Sequence, residues 1–271
     1  MTNPTFWNQF LVWPIVNLLL VFYKAFEALH VPGPLGFAVI ALTISIRLLL
    51  SPLMRAQLRS AKKMQNLKPH LDALSVKHKN DKTTLQKAQL ELYKQHGVNP
   101  AAGCLPLLVQ FPFLIALYNV FYQVLQNGDL QKLLADINTI VYHPVLKLQT
   151  LDLTFFGINL GIRPSQWTTH GWWLLSIPLL TGLLQWYQTK LMMPTSPTHN
   201  KQPASPAGRL TTNNKEEKKT DTAAEMQKQM AIMTPIMFGF FAYQFPLGLA
   251  LYWNIFGIMG MLQQLSINRE K

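Results

Sequence analysis

Cysteine and acidic residues are what this chain has least of. A single cysteine, Cys104, allows neither an internal disulfide nor a cysteine-based metal site. Twelve Asp and Glu face 24 Lys and Arg, a net charge of +12. Charged residues make up 13% of the chain and apolar residues 49%, against about 25% charged in a soluble domain. That balance excludes an ordinary soluble fold, and it makes anionic lipid headgroups or RNA the natural neighbours of the basic surface. There is no phosphate-binding glycine loop, nucleophile elbow, carboxylate pair or H-E-x-x-H, and the seven histidines are scattered. These absences leave no support for a catalytic site, a cofactor or a metal. The opening MTNPTFWNQF lacks the basic region of a secretory signal and the Arg/Ser bias of an organellar transit peptide.

What is present is apolar sequence in blocks. A membrane-spanning helix needs about 20 mostly apolar residues. Five stretches qualify: 35–56, 103–126, 171–191, 230–246 and 247–266. The last two are separated by Phe245-Pro246-Leu247-Gly248, which reads as a tight turn. Within the first 34 residues, 6–30 is more mixed, with Trp7, Trp13, Pro14, Asn17, Lys24 and Glu27. It reads as an amphipathic helix lying in the interface plane, a sixth span being the alternative. The expected fold class is therefore all-α integral membrane, with five transmembrane helices.

Loop charge sets the orientation. Ten Lys and Arg fall in 55–96 and seven in 190–228, whereas 128–170 has only Lys132, Lys147 and Arg163, balanced by Asp129, Asp136 and Asp152. The first two segments are expected in the cytoplasm and the third outside, with an outer N-terminus and a short cytoplasmic tail over 267–271. Segment 57–98 reads as a cytoplasmic helical hairpin. Met64, Leu67, Leu71 and Leu74 form one apolar row, and Leu85, Ala88 and Leu92 another, around a turn at His78-Lys79-Asn80-Asp81. Pro69 suits the start of a helix. Arg55, Arg59, Lys62, Lys63, Lys77, Lys79, Lys82 and Lys87 make this segment either a solvated topology signal or a docking surface. The outer loop over 127–170 has a strand-like stretch from Leu151 to Leu160. Residues 192–229, rich in Pro, Thr, Asn and Lys, are expected to be a disordered linker.

Arg47 is the most informative residue. It lies within LTISIRLLLSPL, near the middle of the first expected span and roughly 13 Å from its cytoplasmic end. A charge there costs on the order of 3 kcal/mol on insertion scales. None of the five spans contains Asp or Glu, so water, backbone carbonyls or polar side chains must solvate it. Thr43 and Ser51 flank it on one helix face. Gln110, Asn119 and Gln123 on the second span, Thr181, Gln185 and Gln188 on the third, and Asn254 on the fifth are candidates to line the same space. Together they suggest a wet, positively charged cavity within the bilayer. Met226, Met230, Met233 and Met237 recur at helical spacing, which suits core or lipid contact. Trp167, Trp172 and Trp173 read as interface anchors, and Cys104 as a small core residue.

Three segments resemble the YidC/Oxa/Alb insertases: IRLLLSPL around Arg47, NPAAGCLPLLVQFPFLIALY from Asn99 to Tyr118, and FPLGLALYW from Phe245 to Trp253 followed by Gln263-Gln264. They occur in that family's order and spacing. The resemblance implies a five-helix core around a hydrophilic groove open to cytoplasm and lipid and closed to the outside. It makes Arg47 the groove arginine and places Thr43, Tyr252 and Trp253 where an entering chain makes contact. The second and fourth spans become its apolar slide. The implied activity is non-enzymatic insertion and folding of proteins in the bacterial cell membrane. The implied partners are nascent membrane proteins, with the ribosome, the Sec translocon, a targeting receptor and anionic lipids as further candidates and no specific nucleic-acid readout. Two departures stand out. No large outer domain precedes the first span, and the tail after Gln264 is short, which weakens the case for tail-mediated ribosome docking. The alternative is an anion channel or transporter built on Arg47. It would need polar outer ends to the spans, and these are mostly apolar and aromatic.

Overall fold

The computed structural model describes residues 2–78, 81–98, 105–127, 130–192 and 222–269. The chain is a helical assembly. A π-helical turn, Asn8–Val12, continues into α1 (Trp13–Ala28). Then follow α2 (Pro34–Leu49), α3 (Ser51–Asn66), α4 (Lys68–Lys77), α5 (Lys82–Gln95), α6 (Leu105–Asn127) and α7 (Leu130–Ile140). A two-residue antiparallel pair, β1 (Thr154–Phe155) and β2 (Ile158–Asn159), lies within the strand-like stretch. Beyond it come α8 (Trp167–His170), α9 (Ser176–Met192), α10 (Thr222–Gln244) and α11 (Leu247–Arg269).

Two boundaries differ from expectation. The first span, expected as one helix over 35–56, breaks at Leu50, and α3 leaves at 61° to α2. Leu50 still donates to the Ile46 carbonyl, and the bonding restarts with Met54 N–H to the Leu50 carbonyl. Pro52 then falls in the first turn of α3, where its missing N–H costs nothing. Arg47 is consequently in the last turn of α2 rather than at mid-span, where the helix dipole favours a cation. The linker expected over 192–229 ends sooner, because α10 already begins at Thr222. The rest of that linker, along with Lys79 and Cys104, lies outside the described residues.

Among the described residues, the helix Asn8–Ala28 is by itself long and apolar enough to cross a bilayer. The bent pair α2 and α3 also qualifies when taken together, whereas the apolar stretches Phe111–Tyr122 and Ala231–Gln244 are shorter. Helices α6 and α10 each extend to 23 residues, about 34 Å at the helical rise.

Bonds at either end of the bundle order it. Leu247 N–H and Gly248 N–H, at the start of α11, donate to the carbonyls of Ile162 and Leu160. At the start of α2, a methyl built on Gly36 would stand 2.1 Å from the Phe155 ring. Gly33, at φ +77°, turns the chain into that helix. Both helices therefore begin against segment 154–162. At their other ends Arg47 bonds Gln263, and Lys62 of α3 donates to the Ile267 carbonyl at 3.4 Å. Thus α2 and α11 run parallel, with the β1–β2 segment at one end and α3 at the other.

Helix α1 packs against α2, with Val16, Leu19, Leu20 and Tyr23 buried. Asn17 donates to the Ile140 carbonyl at 3.0 Å and accepts from Tyr142 N–H at 2.8 Å, while Tyr23 Oη accepts from Asp152 N–H at 3.1 Å. The most extensive helix pair is α9 with α10, whose antiparallel crossing is reciprocal. A methyl on Gly239 would lie 3.4 Å from the Pro178 carbonyl oxygen, and one on Gly182 would lie 3.5 Å from that of Pro235. Small residues at both contact points let the two backbones approach. Ile232, Met233, Ile236, Met237 and Phe240 of α10 face outward, as do Leu179, Leu183 and Trp186 of α9.

Candidate functional site

The site is built where α2 meets α11. Arg47 is 4% exposed. Its Nη1 donates to Gln263 Oε1 at 2.9 Å and its Nη2 to the Phe256 carbonyl at 2.8 Å. The guanidinium lies 3.7 Å from the centroid of the Phe256 ring. Its Nε is enclosed with no hydrogen-bond partner. A hydrogen bond from a charged donor contributes about 1.5–3 kcal/mol, and a desolvated cation over a ring about 2 kcal/mol. Two such bonds and one ring together, about 5–8 kcal/mol, more than offset the insertion-scale cost of placing the charge there, on the order of 3 kcal/mol. Both acceptors are uncharged, so the site keeps its positive charge.

Gly260 creates the space for this arrangement. A Cβ there would stand 2.5 Å from Arg47 Nη2 and 2.9 Å from Gln188 Nε2. Gln188 Oε1 also sits 3.4 Å from where a Cβ on Gly257 would be. The α9 carboxamide and the α2 guanidinium thus meet over a glycine-faced stretch of α11. Phe256, Gly260 and Gln263 follow the i, i+4, i+7 spacing of a single helix face.

The other expected site residues are distributed differently. Thr43 is fully buried, and its hydroxyl donates to the Val39 carbonyl at 2.6 Å. Ser51 is half-buried at the opening of α3. Asn119 and Gln185 are half-buried, Thr181 is buried with its hydroxyl on the Ile177 carbonyl, and none of the three bonds Arg47. Asn254 is half-buried, with Oδ1 enclosed and unbonded. Tyr252 is fully buried and Trp253 is 8% exposed; the Trp253 ring packs against Phe238, Phe241 and Phe245 at 5.5, 6.2 and 5.8 Å. The side chains of Gln110, Gln123 and Lys82 lie outside the described residues. Arg55, Arg59, Lys63, Lys77 and Lys87 are exposed, and Lys62 is half-buried where it holds the end of α11. Nothing in the sequence alone marks Phe256 or Gly260, and Gln263 is marked there only by the resemblance. Their helical spacing in the last span, once Arg47 needs acceptors, is the signal that finds them.

A family model described as 60Kd inner membrane protein matches residues 27–271. A membrane protein insertase YidC of Oceanobacillus iheyensis is 32% identical, covering 97% of this chain and 84% of its own. The membrane protein insertase MisCA of Bacillus subtilis is 30% identical over 98% of this chain and 80% of its own. The YidC of Chlamydia caviae is 30% identical over 96% of this chain, which corresponds to only 28% of the relative's length. A crystal structure of an active YidC insertase with its first transmembrane domain resolved shares the fold, with a TM-score of 0.52 and 22% identity over 98% of this chain and 47% of that one. With the family model matching residues 27–271 and two relatives of 30% identity or more aligned over 97% and 98% of this chain, the chain belongs to the YidC/Oxa family of membrane proteins.

Proposed function

We propose that the chain is a membrane protein insertase in which Arg47 receives a polar or acidic segment of the entering protein. The observation that carries this reading is a buried guanidinium satisfied only by uncharged acceptors, in a bundle whose spans lack acid. Such a charge attracts a carboxylate and lowers the desolvation penalty of a polar segment entering the bilayer. Transfer of the substrate's apolar helix into lipid supplies the driving force, and the membrane potential acts on its acidic residues. No bond is made or broken, so neither nucleotide nor metal enters the scheme. The outward apolar faces of α9 and α10 supply lipid contact.

Five spans around a groove open to cytoplasm and lipid remain our reading of the architecture. We place segment 154–162 outside and the basic helices α3, α4 and α5 in the cytoplasm, on the Lys/Arg asymmetry. We further place α1 along the outer surface. A helix standing upright meets an outer loop at one end, whereas α1 bonds the 140–152 segment from Asn17 and again from Tyr23, about 9 Å further along. Nascent membrane proteins are the partners this reading requires, and the exposed basic side chains of α3 to α5 suit ribosome, translocon or anionic-lipid contact.

The test is protease protection of a newly made substrate's outer segment, with insertase abundance measured in parallel. Arg47→Leu should abolish insertion of substrates with acidic translocated segments at unchanged abundance. Arg47→Lys keeps the charge without the planar fork, and should retain activity where charge alone suffices. Wild-type insertion of acidic substrates by Arg47→Leu would falsify the proposal.

A further inference from the structure

We infer that Gln263 is an internal stand-in for the substrate's acidic group. In the resting protein it latches Arg47 to α11, and an entering carboxylate must displace it. The inference rests on the reading of Arg47 as substrate receptor and adds a regulatory step to it.

The geometry carries the argument. Arg47 does not project into open space: it is 4% exposed and tied to α11 at two of its nitrogens. The two ties differ in kind. The Phe256 carbonyl belongs to the helix backbone and cannot swing away, and the ring of the same residue backs the guanidinium at 3.7 Å. Gln263 is a flexible, half-buried side chain whose Oε1 accepts from Nη1 at 2.9 Å. Gly260, between them, offers no side chain to hold the guanidinium off.

A carboxamide oxygen is a neutral acceptor, and a hydrogen bond from guanidinium to carboxylate is about twice as strong. An arriving carboxylate therefore replaces Gln263 with a net gain, while the Phe256 carbonyl and ring keep the guanidinium in place during the exchange. Nε, enclosed and unbonded, offers a further donor that the resting contacts leave unused. Gln263→Glu would be self-defeating, because its carboxylate would compete with the entering one for the same guanidinium. Glutamine is strong enough to hold the charge and weak enough to release it.

The experiment compares the parent with Gln263→Glu and Gln263→Met, using two substrates that differ only in whether the translocated segment contains acids. Gln263→Glu should slow the acidic substrate by about tenfold or more, the factor expected for one extra charge-assisted bond. It should slow the neutral substrate by a clearly smaller factor than the acidic one and hold the thermal midpoint at or above the parent's. Gln263→Met, similar in size and without an acceptor, should insert the acidic substrate at least as fast as the parent. Gain of stability with selective loss of acidic substrates is not what a mere strut would give. Equal slowing of both substrates, parental rates in Gln263→Glu, or failure of either variant to accumulate folded would overturn the latch. The Arg47→Leu measurement separates the two levels. Parental insertion of acidic substrates by that variant removes the receptor reading itself. Loss there with an unaffected Gln263→Glu removes the latch alone.

Discussion

At the scale of residues, the glycines of the bundle are defined by what they face. Gly248 would drive a methyl to 2.1 Å from the Phe121 ring, and Gly36 one to the same distance from Phe155. Overpacking of this kind costs about 1–3 kcal/mol. Gly36→Ala should lower the unfolding midpoint in detergent, and the double variant with Phe155→Ala should recover most of the loss; no recovery would mean that the contact is not the cause. Gly260→Ala differs because the atoms it meets are the mobile tips of Arg47 and Gln188. It should impair insertion of acidic substrates by moving the guanidinium off the Phe256 carbonyl, at a stability cost of about 1.5–3 kcal/mol for that one bond. The two effects are read by thermal unfolding and protease protection on the same preparation. Arg47 was legible in the sequence because a charge amid apolar residues has few explanations. The roles of Gly260 and Phe256 were not, since a glycine's purpose depends on which side chain another helix brings to it.

At the scale of elements, caps and breaks decide more than hydropathy does. Asp81 caps α5, its Oδ1 accepting from the Thr83 and Thr84 amides, each at 3.0 Å. The Thr84 hydroxyl bond and these amides hold its carboxyl below the usual carboxylate range. A depressed value in the folded state means that the cap's contribution is complete above the unfolded value and fades as pH falls through the folded one. Protection of the Thr83 and Thr84 amides, relative to their intrinsic exchange, should therefore persist just below pH of about 3.9 and be lost on further acidification, and Asp81→Ala should remove it wherever the parent carboxylate is ionised. Uniform exchange in parent and variant would mean that the cap does not hold α5. The capping residue could be seen in the sequence as part of a turn. The break at Leu50 could not, because Pro52 sits in an apolar run and proline is tolerated within membrane helices. That one break moved Arg47 from mid-span to the end of α2, which no hydropathy window resolves.

At the scale of the whole molecule, topology follows from charge and is tested by labelling. In a Cys104→Ser background, Thr150→Cys should react with an impermeant thiol reagent in intact cells and Asn80→Cys should not; equal labelling would remove the five-span orientation. The helical class and the family were legible because apolar blocks and the three motifs are local in sequence. The contacts of segment 154–162 were hidden: its bonds to the start of α11 are carried by backbone carbonyls that any residue possesses, and its packing on the start of α2 depends on the Phe155 ring meeting Gly36. The reciprocal crossing of α9 and α10 has a consequence for how the chain can be assembled. Its two contact points, Gly182 with Pro235 and Gly239 with Pro178, lie on the helices themselves. Covalent continuity between the two helices is then dispensable: a gene divided within 193–221 should yield two polypeptides that find one another in the membrane and co-purify on a tag carried by either half. Bulky side chains at Gly182 and Gly239 together should dissolve that partnership, whereas the unbroken chain, with its two halves held at high local concentration, tolerates them better.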